Sequence, residues 1–415
     1  MTSPQSAALR SPDQPIGTPV LLLMAVTCGL CAGGNYFNQP LLHSIAVGLK
    51  VSEGTAASTV TIAQVSYAIG LLLLVPLGDM LERRRLAVVL TLLAAIGQFI
   101  SGFAQNIGML AVGTAMAGLF SVAAQVLVPL AATLSAPEHR GRAVGLVMSG
   151  LLTGILAARS VAGLLSSLGG WSTVYLVAGS AMIVIAALLW RVLPDSRNPR
   201  RGGYGETLRS LVDLLQRFPR LRSRTLLGGL AFASVSSMFS TMALLLSGPA
   251  FGLGDGAIGL VGLAGVTGAL MASFAGRLAD RGYLQSTSGV AAVLLVASWG
   301  VLWLGGSSLM WFIAGLLLID IALQGVHISN QNVVYALMPE ARSRLNAVYM
   351  TGYFIGAAAG SAAGSFAFQQ GGWEASCELG AVLAAAGVAV WLWDLRLDRS
   401  TSQLDSAVSQ AVTQP

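Results

Sequence analysis

Apolar residues run along this chain in long blocks, and polar residues collect in the short gaps between them. Twelve blocks can be marked, at about 18–43, 55–78, 86–104, 107–134, 143–167, 171–191, 224–248, 256–277, 285–305, 308–335, 345–368 and 374–394. A helical crossing of a bilayer takes about 20 apolar residues, so each block is long enough to span. The blocks are rich in glycine and lack the short alternating pattern of barrel strands. A segment in lipid must satisfy its own backbone groups, which favours helices. The pattern therefore predicts an all-α membrane protein with twelve transmembrane helices.

Composition removes most other classes. Of 415 residues, 55% are hydrophobic and only 10% are charged, against roughly 25% charged in soluble domains. Positions 86–137 contain no Asp, Glu, Lys or Arg. A water-soluble enzyme, a disulfide scaffold and a nucleic-acid binder are all excluded on these grounds. Cys28, Cys31 and Cys377 lie within apolar blocks and read as small membrane residues, with no metal or disulfide framework. The chain has no G-x-x-x-x-G-K-[ST] loop and a single lysine, Lys50, so no cofactor is implied and nucleotide hydrolysis does not power it. The polar start, MTSPQSAALRSPDQPIGT, precedes an apolar block without a small-residue cleavage site. The first span is thus expected to be an uncleaved anchor.

The arginines set an expected orientation. One set of alternate gaps holds RRR at 83–85, HRGR at 139–142, Arg277 with Arg281, and Arg342 with Arg344. The long gap 192–223 adds Arg197, Arg200, Arg201, Arg209, Arg217, Arg220 and Arg222, whereas the opposite gaps hold only Lys50. Basic residues concentrate on cytoplasmic loops. Both termini and the central gap are accordingly expected in the cytoplasm, with the protein in a bacterial-type inner membrane.

The two halves repeat each other. PEHRGRAVGLVMSGLLTG (137–154) matches PEARSRLNAVYMTGYFIG (339–356) at an offset of 202, and GGW recurs at 169–171 and 371–373. GDMLERRR (78–85) is echoed by GRLADRG (276–282) at an offset of 198. Two parallel six-helix repeats are the organisation of transporters that rock two bundles about a central site. The expected domains are an N-terminal tail (1–17), a six-helix bundle (18–191), a central loop (192–223), a second bundle (224–394) and a C-terminal tail (395–415).

GRLADRG resembles the loop motif of the major facilitator superfamily, and LGDMLERRR resembles its first-half copy with Glu82 in place of Asp. NYFNQPLL (35–42) and GLLTGILAARSVAGLL (150–165) are more specifically similar to the bacterial drug:proton antiporter branch, in its purine-ribonucleoside and sugar exporter subgroup. The resemblance implies the major facilitator fold, with two pseudo-symmetric bundles of six helices. It also implies that Gly78, Glu82 and Arg83, with Gly276, Asp280 and Arg281, form a cytoplasmic gate, the alternative being that the basic residues merely set topology. Two positions depart from the branch: Thr114 stands where its span-4 Arg is usual, and AARS with Arg159 replaces a Gly-Pro pair in span 5.

Charges within spans are costly and call for a reason. Asp320 lies about twelve residues into the tenth block, roughly 18 Å deep at 1.5 Å per residue. Gln324, His327 and Gln331 follow at i+4, i+7 and i+11, all on one helix face. A carboxylate taken out of water can load and release a proton as a cavity alternates sides, with His327 as relay. The competing reading is a polar cluster that bonds one helix to another. Arg159, a third proton-coupling candidate with a structural role as the alternative, lies roughly 24 Å along the fifth block and needs an acidic or carbonyl partner or an anionic substrate. Asn35 and Gln39, an i, i+4 pair, and Gln125 are further substrate-cavity candidates, with interhelical hydrogen bonding as the alternative. Phe232, Ser236, Met238 and Phe239 read as packing, and the runs GLLTG and GAAAGSAAG as close helix contacts.

These features lead to an expectation of proton-coupled export of a small, neutral or amphipathic organic compound by alternating access. The expected partners are that compound, protons and the lipid bilayer, with no nucleic acid, and one chain carries both halves and can act as a monomer. Uptake by proton symport or facilitated diffusion is the alternative. A non-transporting sensor on the same scaffold is a third reading, without a soluble effector region in the gaps to support it.

Overall fold

The computed structural model describes residues 17–136, 139–196, 203–262, 284–338 and 341–413. Among them every regular element is helical. The first half contains α1 (Thr18–Gly34), α2 (Leu42–Leu49), α3 (Glu53–Leu73), α4 (Arg83–Gly102), α5 (Ile107–Phe120), α6 (Ala123–Thr133), α7 (Arg140–Gly169) and α8 (Trp171–Val192). A linking helix α9 (Tyr204–Arg217) leads to α10 (Pro219–Ser247), α11 (Asp255–Val261), α12 (Leu284–Leu304), α13 (Leu309–Leu337) and α14 (Arg342–Thr413). Non-helical angles at Gly371 and Gly372 break α14 into two limbs.

Among the described residues ten stretches are long and apolar enough to cross a membrane, and the last, Arg344–Asp398, contains both limbs of α14. The block expected at 256–277 begins with α11, and the part beyond Gly262 lies outside the described residues. Two blocks are interrupted at depth. Span 1 leaves the α-helix at Asn35 and resumes through a single 3-10 turn at Gln39–Leu41, and span 4 breaks between Phe120 and Ala123. Irregular backbone inside a membrane is tolerated where protein or a polar cavity surrounds it.

The gap 192–223 is more structured than a loop. Helix α9 buries Leu211 and Leu214, donates Tyr204 Oη to the Leu73 carbonyl at 2.8 Å, and packs on both α10 and α14. Helix α10 begins at Pro219, inside the stretch expected to be loop.

The internal repeat reappears as geometry. A Cβ on Gly29 would meet the Gly150 carbonyl oxygen at 2.6 Å, and one on Gly229 would meet that of Gly352 at 3.0 Å. These are the same helix pairing, α1 with α7 and α10 with α14, shifted by 200 and 202 residues. Only glycine lets the backbones approach so closely. The two GGW turns match as well: Gly170 has φ 81° and Gly372 has φ 63°, each just before a tryptophan.

The halves meet mainly where α3 packs on α14 and α7 packs on α11. Those two seams frame the space in which the polar span residues gather.

Candidate functional site

Between the bundles lies a cavity of about 300 Å³ that runs from Arg159 and Asp320 to the exposed Arg342 at the end carrying the basic loops. Its opposite end is sealed by bonds between the halves. Gln64 Nε2 donates to Ser236 Oγ at 2.8 Å, and Thr61 Oγ1 donates to Ser361 Oγ at 3.1 Å. Tyr67 packs its ring against Phe354 with centroids 4.5 Å apart. Asp255, at the start of α11, accepts from Ser44 Oγ at 2.5 Å and from Ser166 Oγ at 2.6 Å, so one carboxylate of the second half ties two helices of the first.

The helical spacing in α13 has the outcome its periodicity predicts: Asp320, Gln324, His327 and Gln331 all line the cavity. Asp320 Oδ2 and Gln324 Oε1 are buried without a hydrogen-bond partner. His327 Nδ1 lies 3.0 Å from Tyr349 Oη, and its ring sits 4.7 Å from that of Tyr353. Gln125 also lines the cavity, 3.4 Å from Tyr67 Oη.

Arg159 reaches the cavity from α7 and is 5% exposed. Its Nε donates to Gln39 Oε1 at 2.6 Å, and its guanidinium carbon lies 3.7 Å from the Phe239 ring centre and 5.1 Å from that of Tyr36. Such cation–π contacts hold a cation in an apolar setting. Arg159 and Asp320 share the cavity, yet neither forms an ion pair among the described residues.

Two candidates lie elsewhere. Gln39 supports Arg159 from behind and does not itself line the cavity. Asn35 faces a separate pocket of about 10 Å³ inside the first bundle, together with Asn38, Gln98 and Thr114. Asn35 Oδ1, Asn38 Oδ1, Thr114 Oγ1 and both polar atoms of the Gln98 side chain are buried there without protein partners. Asn35 caps the last turn of α1, before the break in span 1, and lies at this inner pocket instead of the central space.

At the basic end, Glu82 caps α4 by accepting from the backbone nitrogens of Arg84 at 2.9 Å and Arg85 at 2.8 Å, and also from that of Ser196 at 3.1 Å. Arg84 and Arg85 belong to the first bundle and Ser196 to the start of the central gap. Arg83 donates Nε to the Gly78 carbonyl at 2.9 Å and Nη1 to Thr133 Oγ1 at 2.9 Å. Gly78 has no positive φ, and a Cβ there would come no nearer than 3.8 Å to Val126, so neither a strained turn nor a close approach requires glycine. Gly276, Asp280 and Arg281 lie outside the described residues.

The second half holds a buried network that the sequence reading missed. Arg224 and Asp394, both 0% exposed, are paired at 2.5 Å. Ser223 and Gln285 also donate to Asp394, Gln285 at 2.9 Å, while Arg224 reaches Ser288 at 2.8 Å and Asn330 at 3.2 Å. Arg220 pairs with Asp398 at 2.6 Å. The available signal was Asp394 itself, an acidic residue at the end of the last apolar block; in the first half Asp195 pairs with Arg84 at 2.8 Å. The rings of Phe232, Phe239, Tyr353 and Phe354 also line the cavity, with Phe232 stacked on Tyr353 at 4.1 Å. Phe232 and Phe239 thus do more than pack α10.

Two bundles of membrane-length helices around a cavity that sets a few polar and charged side chains among apolar walls, sealed at one end and open at the other, define a membrane transporter. The family model described as Major Facilitator Superfamily matches residues 24–341. The Escherichia coli (strain K12) transporter YgaY, itself uncharacterised, is 48% identical over 383 residues, covering 92% of this chain and 97% of that protein. A protein of Streptomyces coelicolor named as a probable transporter is 32% identical, covering 90% of this chain and 85% of its own. The fold also matches a bacterial homologue of the human lysosomal transporter Spinster, crystallised inward-facing and occupied. That match has a TM-score of 0.70 at 15% identity, over 91% of this chain and 97% of that one. The chain belongs to the Major Facilitator Superfamily.

Proposed function

We propose that this transporter is a proton-coupled exporter of a small organic compound, working by alternating access in a bacterial inner membrane. The observation that carries the reading is Asp320, a carboxylate on the wall of the central cavity with one oxygen buried and unpartnered. Ionisable groups inside a membrane are expensive and tend to mark ion or substrate pathways. A carboxylate reached in turn from two aqueous phases can take a proton from one and release it to the other. When substrate and proton contend for the same carboxylate, each leaves as the other arrives, and the result is exchange.

Several features support this reading. The positive-inside rule assigns the basic loops to the cytoplasm, so the open end faces inward and the Asp255 contacts seal the outer side. An inward-open cavity loads from the cytoplasm, as export requires. The resemblance of spans 1 and 5 to the drug:proton antiporter branch favours the same direction. Both bundles belong to one chain, which supports a functional monomer. In this scheme Gly78, Glu82 and Arg83, with Gly276, Asp280 and Arg281, belong to the cytoplasmic gate of the opposite state, and Gln125, Gln324, His327 and Gln331 contact the substrate. Asn35 and Gln39 act behind that wall.

The test is substrate-induced proton movement in inverted membrane vesicles, over a panel of nucleosides, sugars and cationic dyes. A compound that releases protons with the wild type but not with Asp320→Asn, at equal insertion, is the expected result. Proton movement unaltered in the variant overturns the role of Asp320. Co-movement of protons and compound, or compound flux without protons, overturns antiport in favour of symport or facilitated diffusion.

A further inference from the structure

Deep in the central cavity lie one arginine and one aspartate, Arg159 and Asp320, which form no ion pair with each other, while Arg342 lies at the open end. Arg159 spends Nε on Gln39, while its two terminal nitrogens make no hydrogen bond among the described residues. Those nitrogens are not among the buried unpartnered atoms, so they open on the cavity that Arg159 lines. Asp320 offers its carboxylate to the same space, also without a partner among the described residues.

This chain shows what it does when an arginine and an aspartate serve structure alone. Arg224 and Asp394 are in direct contact at 2.5 Å, with serine, glutamine and asparagine side chains bonded to the pair. A pair meant only to offset two charges gains most by direct contact, since removing ions from water is costly unless their hydrogen-bonding capacity is met. Arg159 and Asp320 keep that capacity unmet at a cavity wall, with Gln39, Phe239 and Tyr36 holding the guanidinium in place.

We infer that the ligand of this cavity is a zwitterionic organic molecule, its carboxylate held by the terminal nitrogens of Arg159 and its ammonium by Asp320. The inference rests on the reading of the cavity as the transport site. Guanidinium–carboxylate contacts are strong and directional, and an ammonium suits a lone carboxylate. Beside the two poles, Phe232, Tyr353 and Phe354 form an apolar aromatic wall, with Phe232 and Phe354 in edge contact at 5.4 Å. That wall suits an aromatic or large apolar body. The class is therefore an amino-acid-like compound with such a side group.

A matched set of ligands tests the charge pattern directly. Phenylalanine, tyrosine, tryptophan and histidine are each compared with their decarboxylated amine and their deaminated acid, by equilibrium binding to the purified full chain in nanodiscs. At least one zwitterion is expected to bind at least tenfold tighter than both of its singly charged partners. Asp320→Asn should abolish the advantage over the acid, and Arg159→Lys should reduce the advantage over the amine while retaining the positive charge. If no zwitterion exceeds both partners, or if an amine or an acid alone binds best, the inference is overturned. The same holds if Asp320→Asn leaves the ranking unchanged. Binding is measured without a gradient, so failure here leaves proton movement in vesicles intact as a separate result. Loss of proton coupling likewise leaves the ligand ranking standing.

Discussion

Gln39 accepts one bond from Arg159, Nε to Oε1 at 2.6 Å, and thereby fixes one edge of the guanidinium while the other edge meets the cavity. The acceptor comes from the 3-10 turn of span 1 and the donor from mid-span 5. A break in one helix of the first bundle thus orients the only arginine held deep in the cavity wall among the described residues.

Replacing that acceptor should be felt at the cavity and not in the fold. A hydrogen bond to a charged group contributes about 1.5–3 kcal/mol, so Gln39→Leu is expected to weaken ligand binding roughly tenfold or more. Gln39→Glu supplies a charge that competes with the ligand for Arg159 and should weaken it as well. Binding affinity together with thermal stability in detergent checks both. Lowered stability with unchanged affinity would mean that the bond serves packing only.

Two acidic residues at the basic end should differ sharply in their structural weight. Asp394 is fully buried against Arg224, and breaking such a pair leaves an uncompensated charge at a cost of about 3–5 kcal/mol. Asp195 is 76% exposed in its pair with Arg84, and surface pairs contribute about 0–1 kcal/mol. Asp394→Asn should therefore lower the unfolding temperature markedly, and Asp195→Asn should hardly change it. Equal shifts would contradict the buried assignment.

The seal opposite the basic loops depends on a carboxylate that accepts two hydroxyl protons from the other half. Asp255→Ala removes both bonds and should shift the population toward a state open at that end. In a background free of the three native cysteines, Gln64→Cys should react several-fold faster with a membrane-impermeant maleimide once Asp255 is gone. No change in labelling rate would assign the seal to the helix packing alone.

Close helix packing gives a fourth expectation. A methyl on Gly29 would press on the Gly150 carbonyl at 2.6 Å, whereas one on Gly229 would meet that of Gly352 at a more tolerant 3.0 Å. Overpacking of this kind costs about 1–3 kcal/mol. Gly29→Ala should destabilise the chain more than Gly229→Ala, measured by thermal unfolding of the purified protein.

Much of this was legible in the residues themselves. Runs of twenty or more apolar side chains can only be satisfied across a bilayer, so the helical class and the spans follow from the chain's own solvation. The offset of 202 made the two-bundle plan visible, and it recurs as matched glycine contacts and matched positive-φ turns. The spacing of Asp320, Gln324, His327 and Gln331 predicted a common face because a regular helix fixes direction every 3.6 residues. Where the helix is not regular, that logic stops. Asn35 sits at the break in span 1 and turns into its own bundle, and no periodicity carries across the break.

The sequence by itself determined what local rules control: that the chain spans a membrane, that it is doubled, and that one face of the tenth block is polar. Tertiary structure decided which charges meet. Arg224 finds Asp394 across 170 residues and pairs with it directly, while Arg159, among the described residues, contacts an amide and two aromatic rings and forms no ion pair. The sequence marked Arg159 as a charge deep in a span and Arg224 as one more arginine at a block edge; which partner each meets is set by neighbours distant along the chain, and those are fixed only when the helices pack.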